Sequence, residues 1–214
     1  LDNQDILRVM QLMGIKYLVD HPEFPDALDK HTKPRLPTEK EKLVFEHDDW
    51  KIYEYLDAYP RFFLIGNYEV IIDDQAAVKR LFDPTFNPRS SVILSQKPNG
   101  TDPQIDPNAK VEIVSYTPNK IIFKTATSKD QLLFLSDTFY PDWKAKIDTN
   151  TATDVLRANF ALRAVPIPAG IHTVEMYYLP NTFTKGLAIA GASLIILIFT
   201  MYSKIFAKTS VARS

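Results

Sequence analysis

The run from Gly186 to Ser203 constrains this chain more than any other stretch. It holds 18 residues without a charge, and Lys185 and Lys204 flank it. As a helix rising about 1.5 Å per residue it would reach roughly 27 Å, close to the roughly 30 Å hydrocarbon core of a bilayer. The sequence therefore predicts a transmembrane helix over 185–204. A buried core helix or a C-terminal amphipathic helix is the alternative.

The charges around this run predict its orientation. Lys204, Lys208 and Arg213 follow it, whereas basic residues are sparse in the segment just before it. The positive-inside bias then places a tail at 205–214 in the cytoplasm and residues 1–184 outside it.

Composition excludes several classes of function. The net charge of −1 gives no electrostatic case for nucleic-acid binding. The absence of cysteine excludes disulfides, thiol catalysis and thiolate metal sites. The chain opens on Leu1 without a signal peptide, so we expect it to be the C-terminal piece of a longer protein.

The pattern from Lys110 onward predicts a β-sandwich, because short alternating strands recur at regular spacing between turn residues. We predict a mainly β (α+β) fold with a small α+β subdomain at 1–95, a loop at 96–109 and sandwich strands within 110–180. The predicted sandwich strands are 110–116, 121–126, 131–136, 143–147, 155–157, 160–167 and 171–178.

The first part of the chain mixes helix and strand patterns. Ile6–Met13 and the run from Asp73 predict two short helices, the second capped by Asp73 itself. A long polar surface loop is predicted over 21–42, where prolines recur. The predicted strands in this part are 15–19, 43–45, 50–55, 61–65 and 91–95.

The segment Asp137–Trp143 is the first candidate binding site, because it contains two carboxylates and three aromatic rings. The rings of Tyr140 and Trp143 suit stacking on a sugar, and the carboxylate of Asp137 suits binding its hydroxyls. In the alternative, Asp137 caps a turn and Trp143 anchors the core in phase with Ala145.

Arg157, Asn159 and Arg163 form the second candidate, since their spacing of two and four residues suits one face of a strand pair. Arginine forks match the geometry of phosphate in a lipid or polymer. The alternative is cross-strand pairing with acidic residues, namely Asp137, Asp148 or Glu175.

No metal site, cofactor or catalytic residue is predicted. His47, Asp48 and Asp49 are adjacent, so we expect a solvated turn, and no zinc-ligand spacing occurs. A self-contained enzyme ranks last for this reason.

The segment 133–180, LFLSDTFYPDWKAKIDTNTATDVLRANFALRAVPIPAGIHTVEMYYLP, resembles the C-terminal end of bacterial YfhO-type multi-span membrane proteins. GIKYLV at 14–19 and WKIYE…PRF at 50–62 are also similar. Asp142 replaces a usual glycine, and the hairpin lacks the usual Asp-Gly turn.

The resemblance implies a relative of GT-C membrane glycosyltransferases, which use polyprenyl-phosphate sugars to modify cell-envelope glycopolymers such as teichoic acids. Their catalytic acid lies upstream, so no position here inherits it. We therefore expect an extracytoplasmic accessory domain plus the last membrane span of such an enzyme, in a bacterial cell membrane. Its expected partners are the bilayer, upstream transmembrane helices and a polyprenyl-phosphate sugar or wall glycopolymer. The alternative is a non-catalytic carbohydrate- or partner-binding sandwich held at the membrane.

Overall fold

The computed structural model describes residues 3–21, 36–149 and 151–211. The chain divides into two units, Leu1–Tyr177 and Tyr178–Ser214. Most of the loop predicted at 21–42 lies outside the described residues.

The described part of the first unit contains two helices, a 3-10 turn and fourteen strands in three sheets. The helices are α1 (Asn3–Leu12) and α2 (Asp74–Leu81), and the 3-10 turn is Thr38–Lys40. The strands are β1 (Tyr17–Asp20), β2 (Glu41–His47), β3 (Trp50–Tyr55), β4 (Phe62–Ile65), β5 (Tyr68–Val70), β6 (Val92–Leu94), β7 (Lys110–Thr117), β8 (Lys120–Thr127), β9 (Gln131–Leu135), β10 (Trp143–Ile147), β11 (Thr151–Thr153), β12 (Leu156–Ala158), β13 (Leu162–Ile167) and β14 (Gly170–Tyr178).

A six-stranded sheet, in the order β4-β9-β13-β12-β6-β5, is the centre of the first unit. Every residue of β9 is buried, as expected for a strand covered on both faces. Leu133 and Leu135 belong to the core shared with the five-stranded sheet, whereas Leu132 and Phe134 belong to a second core. The buried central strand predicted from the apolar run 131–136 is confirmed.

The second core lies on the α2 side of this sheet. Ala77 and Leu81 bury their side chains there, in phase with the helical period. Asp73 caps the helix, because its Oδ1 accepts the Ala76 N–H at 2.8 Å. The capped helix predicted from Asp73 is confirmed.

The five-stranded sheet, in the order β11-β10-β14-β8-β7, has one buried and one open face. On β10, Ala145 and Ile147 are buried, while Lys144 and Lys146 lie on the opposite face. The alternation predicted for this strand is confirmed.

The third sheet, in the order β1-β3-β2, is far more open to solvent. Six of the seven residues of β2 are exposed. Asp48 takes a φ of 50° at the β2–β3 turn, as predicted for the polar turn at His47–Asp49.

Two strands were not predicted. β5 has only three residues and pairs in parallel with β6. β11 lies within the turn predicted at 148–154 and pairs with the end of β10 through Ala152 and Thr153. β11 carries no apolar pattern of its own, and β5 is only three residues long, so both depend on a partner strand.

The six-stranded sheet takes strands from both sides of the predicted loop at 96–109. β4, β5 and β6 come before that loop, and β9, β12 and β13 come after it.

The second unit contains helix α3 (Asn181–Val211), and the transmembrane prediction over 185–204 is wrong. Among the described residues, no helix is long and apolar enough to cross a membrane. The fold is therefore corrected to mainly β with three sheets.

Candidate functional site

The buried carboxylate of Asp137, just beyond β9, is the centre of a partly buried polar cluster. Arg61 donates to Oδ1 from Nε at 3.0 Å and from Nη2 at 2.7 Å. Arg163 places Nη2 3.0 Å from Oδ2, and the hydroxyl of Tyr116 donates to the same oxygen at 3.1 Å. The strand pairing of the six-stranded sheet positions these groups. Ser136 N donates to Arg61 O at 2.9 Å, and Arg163 on β13 is opposite Leu135 on β9. We call Asp137, Arg61, Arg163, Tyr116 and Trp143 the Asp137 corner.

Arg163 is the most enclosed charge of the corner. Its side chain is 5% exposed, and its guanidinium lies 4.2 Å from the centre of the Trp143 ring. Burial lowers the pKa of Arg163, and the charge of Asp137 opposes that shift. Nη1 is buried and has no hydrogen-bond partner among the described residues.

Arg61 forms the solvent side of the corner. Its side chain is 56% exposed, and its guanidinium lies 4.5 Å from the centre of the Tyr116 ring. The hydrogen bond to Asp137 raises the pKa of Arg61. Burial, followed by the charge of Asp137, raises the pKa of Tyr116. Two guanidiniums share one carboxylate, so the corner carries one excess positive charge.

Two further aromatic rings lie on segments joined by a hydrogen bond. Phe139 N donates to Ala161 O at 2.7 Å, which ties the segment after β9 to the β12–β13 turn. Tyr140 on the first segment is 57% exposed, and Phe160 on the second is exposed as well. Phe160 has a φ of 70°, a strained conformation for a bulky residue.

The structure brings Asp137, Trp143 and Arg163 together but gives Arg157 and Asn159 other partners. Arg157 is opposite Arg163 in register, yet it pairs with Asp74 at the start of α2. Asn159 is buried, with a φ of 43°, and its Oδ1 accepts the Ile93 N–H at 2.9 Å. Its contacts fix the turn to β6.

Sequence reasoning missed Arg61 and Tyr116 as site residues. Arg61 is 76 residues from Asp137, and Tyr116 is 21 residues from it, on the other sheet. The available signal was the PRF motif within 50–62, which contains Arg61 and belongs to the family resemblance.

The chemistry of the corner suits binding rather than proton transfer. The Asp137 carboxylate already accepts hydrogen bonds from Arg61 and Tyr116 and pairs with Arg163, so protein groups occupy both of its oxygens. Within the described ranges, no group of three or more acidic, histidine or cysteine side chains is placed to hold a metal ion.

Taken together, fold and site define a mainly β protein of layered sheets with an arginine–aspartate–aromatic corner. Residues 105–190 match the model of the family described as bacterial membrane protein YfhO. The chain therefore contains a YfhO-type region, and the resemblance found in the sequence is confirmed. No curated protein matched the chain, and no solved structure did.

Proposed function

We propose that this chain is a non-catalytic accessory domain of a glycosyltransferase-related membrane protein, and that its Asp137 corner binds a cell-envelope glycopolymer. The family match supports the membrane protein, and the resemblance in sequence motivates the glycosyltransferase relation. The observation that carries the binding role is the corner itself. There an excess guanidinium charge lies against Trp143, and Tyr116 is partly exposed.

This combination fits a sugar chain that carries anionic groups. Aromatic rings offer apolar faces for sugar rings, and the free edge of an arginine fork binds a phosphate or carboxylate. Arg61 offers its Nη1 for such a contact, because its hydrogen bonds to Asp137 use Nε and Nη2 and 56% of its side chain is exposed. Such polymers lie outside the cell, so the proposal includes an extracytoplasmic placement of the first unit.

The test is a calorimetric titration of the whole chain with fragments of a phosphate-bearing envelope glycopolymer. Tyr140→Ala should weaken binding by about fivefold or more, because an exposed ring adjoining the corner is removed. Tyr17→Ala is the matched control, since Tyr17 is 53% exposed and lies on β1. Arg61→Gln should weaken binding of phosphate-bearing fragments more than that of neutral fragments.

Unfolding curves accompany each variant, because Arg61 also holds Asp137. A result in which Tyr140→Ala and Tyr17→Ala bind the polymer equally well would reject the corner as its binding site.

A further inference from the structure

The open face of the five-stranded sheet carries five lysines. On β8, β10 and β14 alternate residues fill the core between the sheets, so the residues between them lie on the outer face. We call this surface the lysine face; its cations are Lys110, Lys120, Lys124, Lys144 and Lys146.

The lysine face has an excess of positive charge. Glu112 lies opposite Lys124 on the neighbouring strand. Glu175 is bound by Lys120 at 3.0 Å and by Lys146 at 3.3 Å. Even when Asp148 and Asp154, just beyond the ends of β10 and β11, are counted with Glu112 and Glu175, the five lysines outnumber the four carboxylates. The chain as a whole has a net charge of −1, so this face is more positive than the molecule that carries it.

Apolar and aromatic groups lie among these charges. Ile171 is opposite Ala126 on this face, and its side chain is 85% exposed. Tyr177 is opposite Lys120, and the Lys146 ammonium lies 5.9 Å from the centre of its ring. Lysine and tyrosine combine an apolar stem or ring with a polar end, which suits the boundary between lipid headgroups and acyl chains, and Ile171 adds apolar area.

We propose that the lysine face docks on the phosphate groups of an anionic phospholipid bilayer. Five strands about 4.8 Å apart present a surface roughly 20 Å wide, broad enough to meet many headgroups at once. Lysines act as flexible point charges, suited to a fluid array of phosphates rather than to one fixed fork geometry. The family match supplies the bilayer as a neighbour of this chain. The inference is independent of the glycopolymer proposed for the Asp137 corner.

A bilayer is favoured over a linear polyanion because the cations are spread across β7, β8 and β10 instead of following one groove. The hollow at the β11 edge, about 280 Å³, contains Asp154 beside Lys144. The negative charge of Asp154 makes this hollow a poor binding groove for a polymer of phosphates.

The absence of cysteine permits a site-specific test on the whole chain. Thr173, exposed on β14 and opposite Lys124, is replaced by cysteine and labelled with an environment-sensitive fluorophore. A second sample carries the label at Gln75 on α2, on the other side of the central sheet. Both are mixed with neutral vesicles and with vesicles rich in phosphatidylglycerol.

The label at Thr173 should respond to anionic vesicles, the label at Gln75 should not, and about 0.5 M salt should abolish the response. The double variant Lys110→Gln/Lys124→Gln should weaken the Thr173 response by about tenfold. The control Lys42→Gln/Lys79→Gln removes the same charge from exposed positions on β2 and α2 and should leave the response unchanged.

Comparing labels within one chain separates this face from any other lipid contact of the protein. Three results would overturn the proposal: equal responses at Thr173 and Gln75, equal losses in the two double variants, or a Thr173 label that responds to soluble poly(glycerol phosphate) and not to anionic vesicles.

Discussion

At the scale of single residues, Asp137 and Arg163 form a buried ion pair. The side chain of Asp137 is 8% exposed and that of Arg163 is 5% exposed, so each neutralises a charge that water barely reaches. Removing one partner of a buried pair leaves the other charge uncompensated, and this costs more than the pair itself contributes.

We therefore predict that Asp137→Asn lowers the free energy of unfolding by about 3 kcal/mol. Urea denaturation of the whole chain measures this change. Asp49→Asn, in the exposed β2–β3 turn, should change it by less than about 0.5 kcal/mol. A small loss at Asp137 would mean that water reaches the Arg163 guanidinium in solution.

His172 should make stability depend on pH near neutrality. Its Nδ1 lies 2.9 Å from Asp148 Oδ2, and this hydrogen bond raises the pKa of His172 above its usual 6.5. The Thr173 N–H and His172 lower the pKa of Asp148, so the carboxylate is ionised in this range. The charged imidazole is thus favoured in the folded state.

The stabilisation should be fully present below about pH 6.5 and should be lost as the pH rises through the folded pKa of His172. Unfolding free energies at pH 6 and pH 8 should differ less in His172→Gln than in the unsubstituted chain. The same pH dependence in both proteins would exclude His172 as its source.

The sequence predicted Asp137 and Trp143 as site residues, because the segment that they bound is dense in aromatic and acidic side chains. It left open whether Arg163 binds phosphate or pairs with an acidic residue, and the structure shows the pair with Asp137. Arg61 could not be located this way, because its contact closes a gap of 76 residues through the β4–β9 pairing.

At the scale of the elements, β9 combines the requirements of two cores. Leu133 is fully buried between the two large sheets, and Leu132 is fully buried on the α2 side. A continuous apolar strand of this kind was predictable, because alternation vanishes when both faces are covered.

We predict that Leu133→Ala and Leu132→Ala each lower the free energy of unfolding by about 2–5 kcal/mol through cavity formation. Ile171→Ala on β14 should cost less than about 0.5 kcal/mol, since that side chain is 85% exposed. Chemical denaturation compares the three. If only one of the two leucines is costly, one face of β9 repacks easily.

Elements with their own pattern were predictable, and elements that depend on a neighbour were not. The alternation of β10 and the cap of α2 are encoded locally. The threonines of β11 look like turn residues until Ala145 and Ile147 supply partners for Thr153 and Thr151. The transmembrane prediction for α3 rested on hydropathy alone, and no helix among the described residues is long and apolar enough to cross a membrane.

At the scale of the whole molecule, the three sheets should differ in local stability. β9 and β13 are buried throughout, whereas β2 is exposed at six of its seven positions. Segments with few buried contacts open with smaller free energies than the global one.

We predict that amides of β2 exchange with deuterium at least about tenfold faster than those of β13. Hydrogen exchange with mass spectrometry of the native chain measures the difference. Peptides from β4, which pairs with β9, serve as an internal reference and should follow β13. Equal protection of β2 and β13 would indicate that another surface covers the small sheet.

The strand pairing in the central sheet also limits where the chain can be divided. The segment matching the YfhO family begins at residue 105, yet β9 pairs with β4 and β12 pairs with β6, both of which precede it. A chain cut at that boundary would leave two unpaired strand edges in each piece, and exposed strand edges promote aggregation. A shortened chain that begins at residue 105 should therefore aggregate, because β9 and β12 would each lose a neighbouring strand.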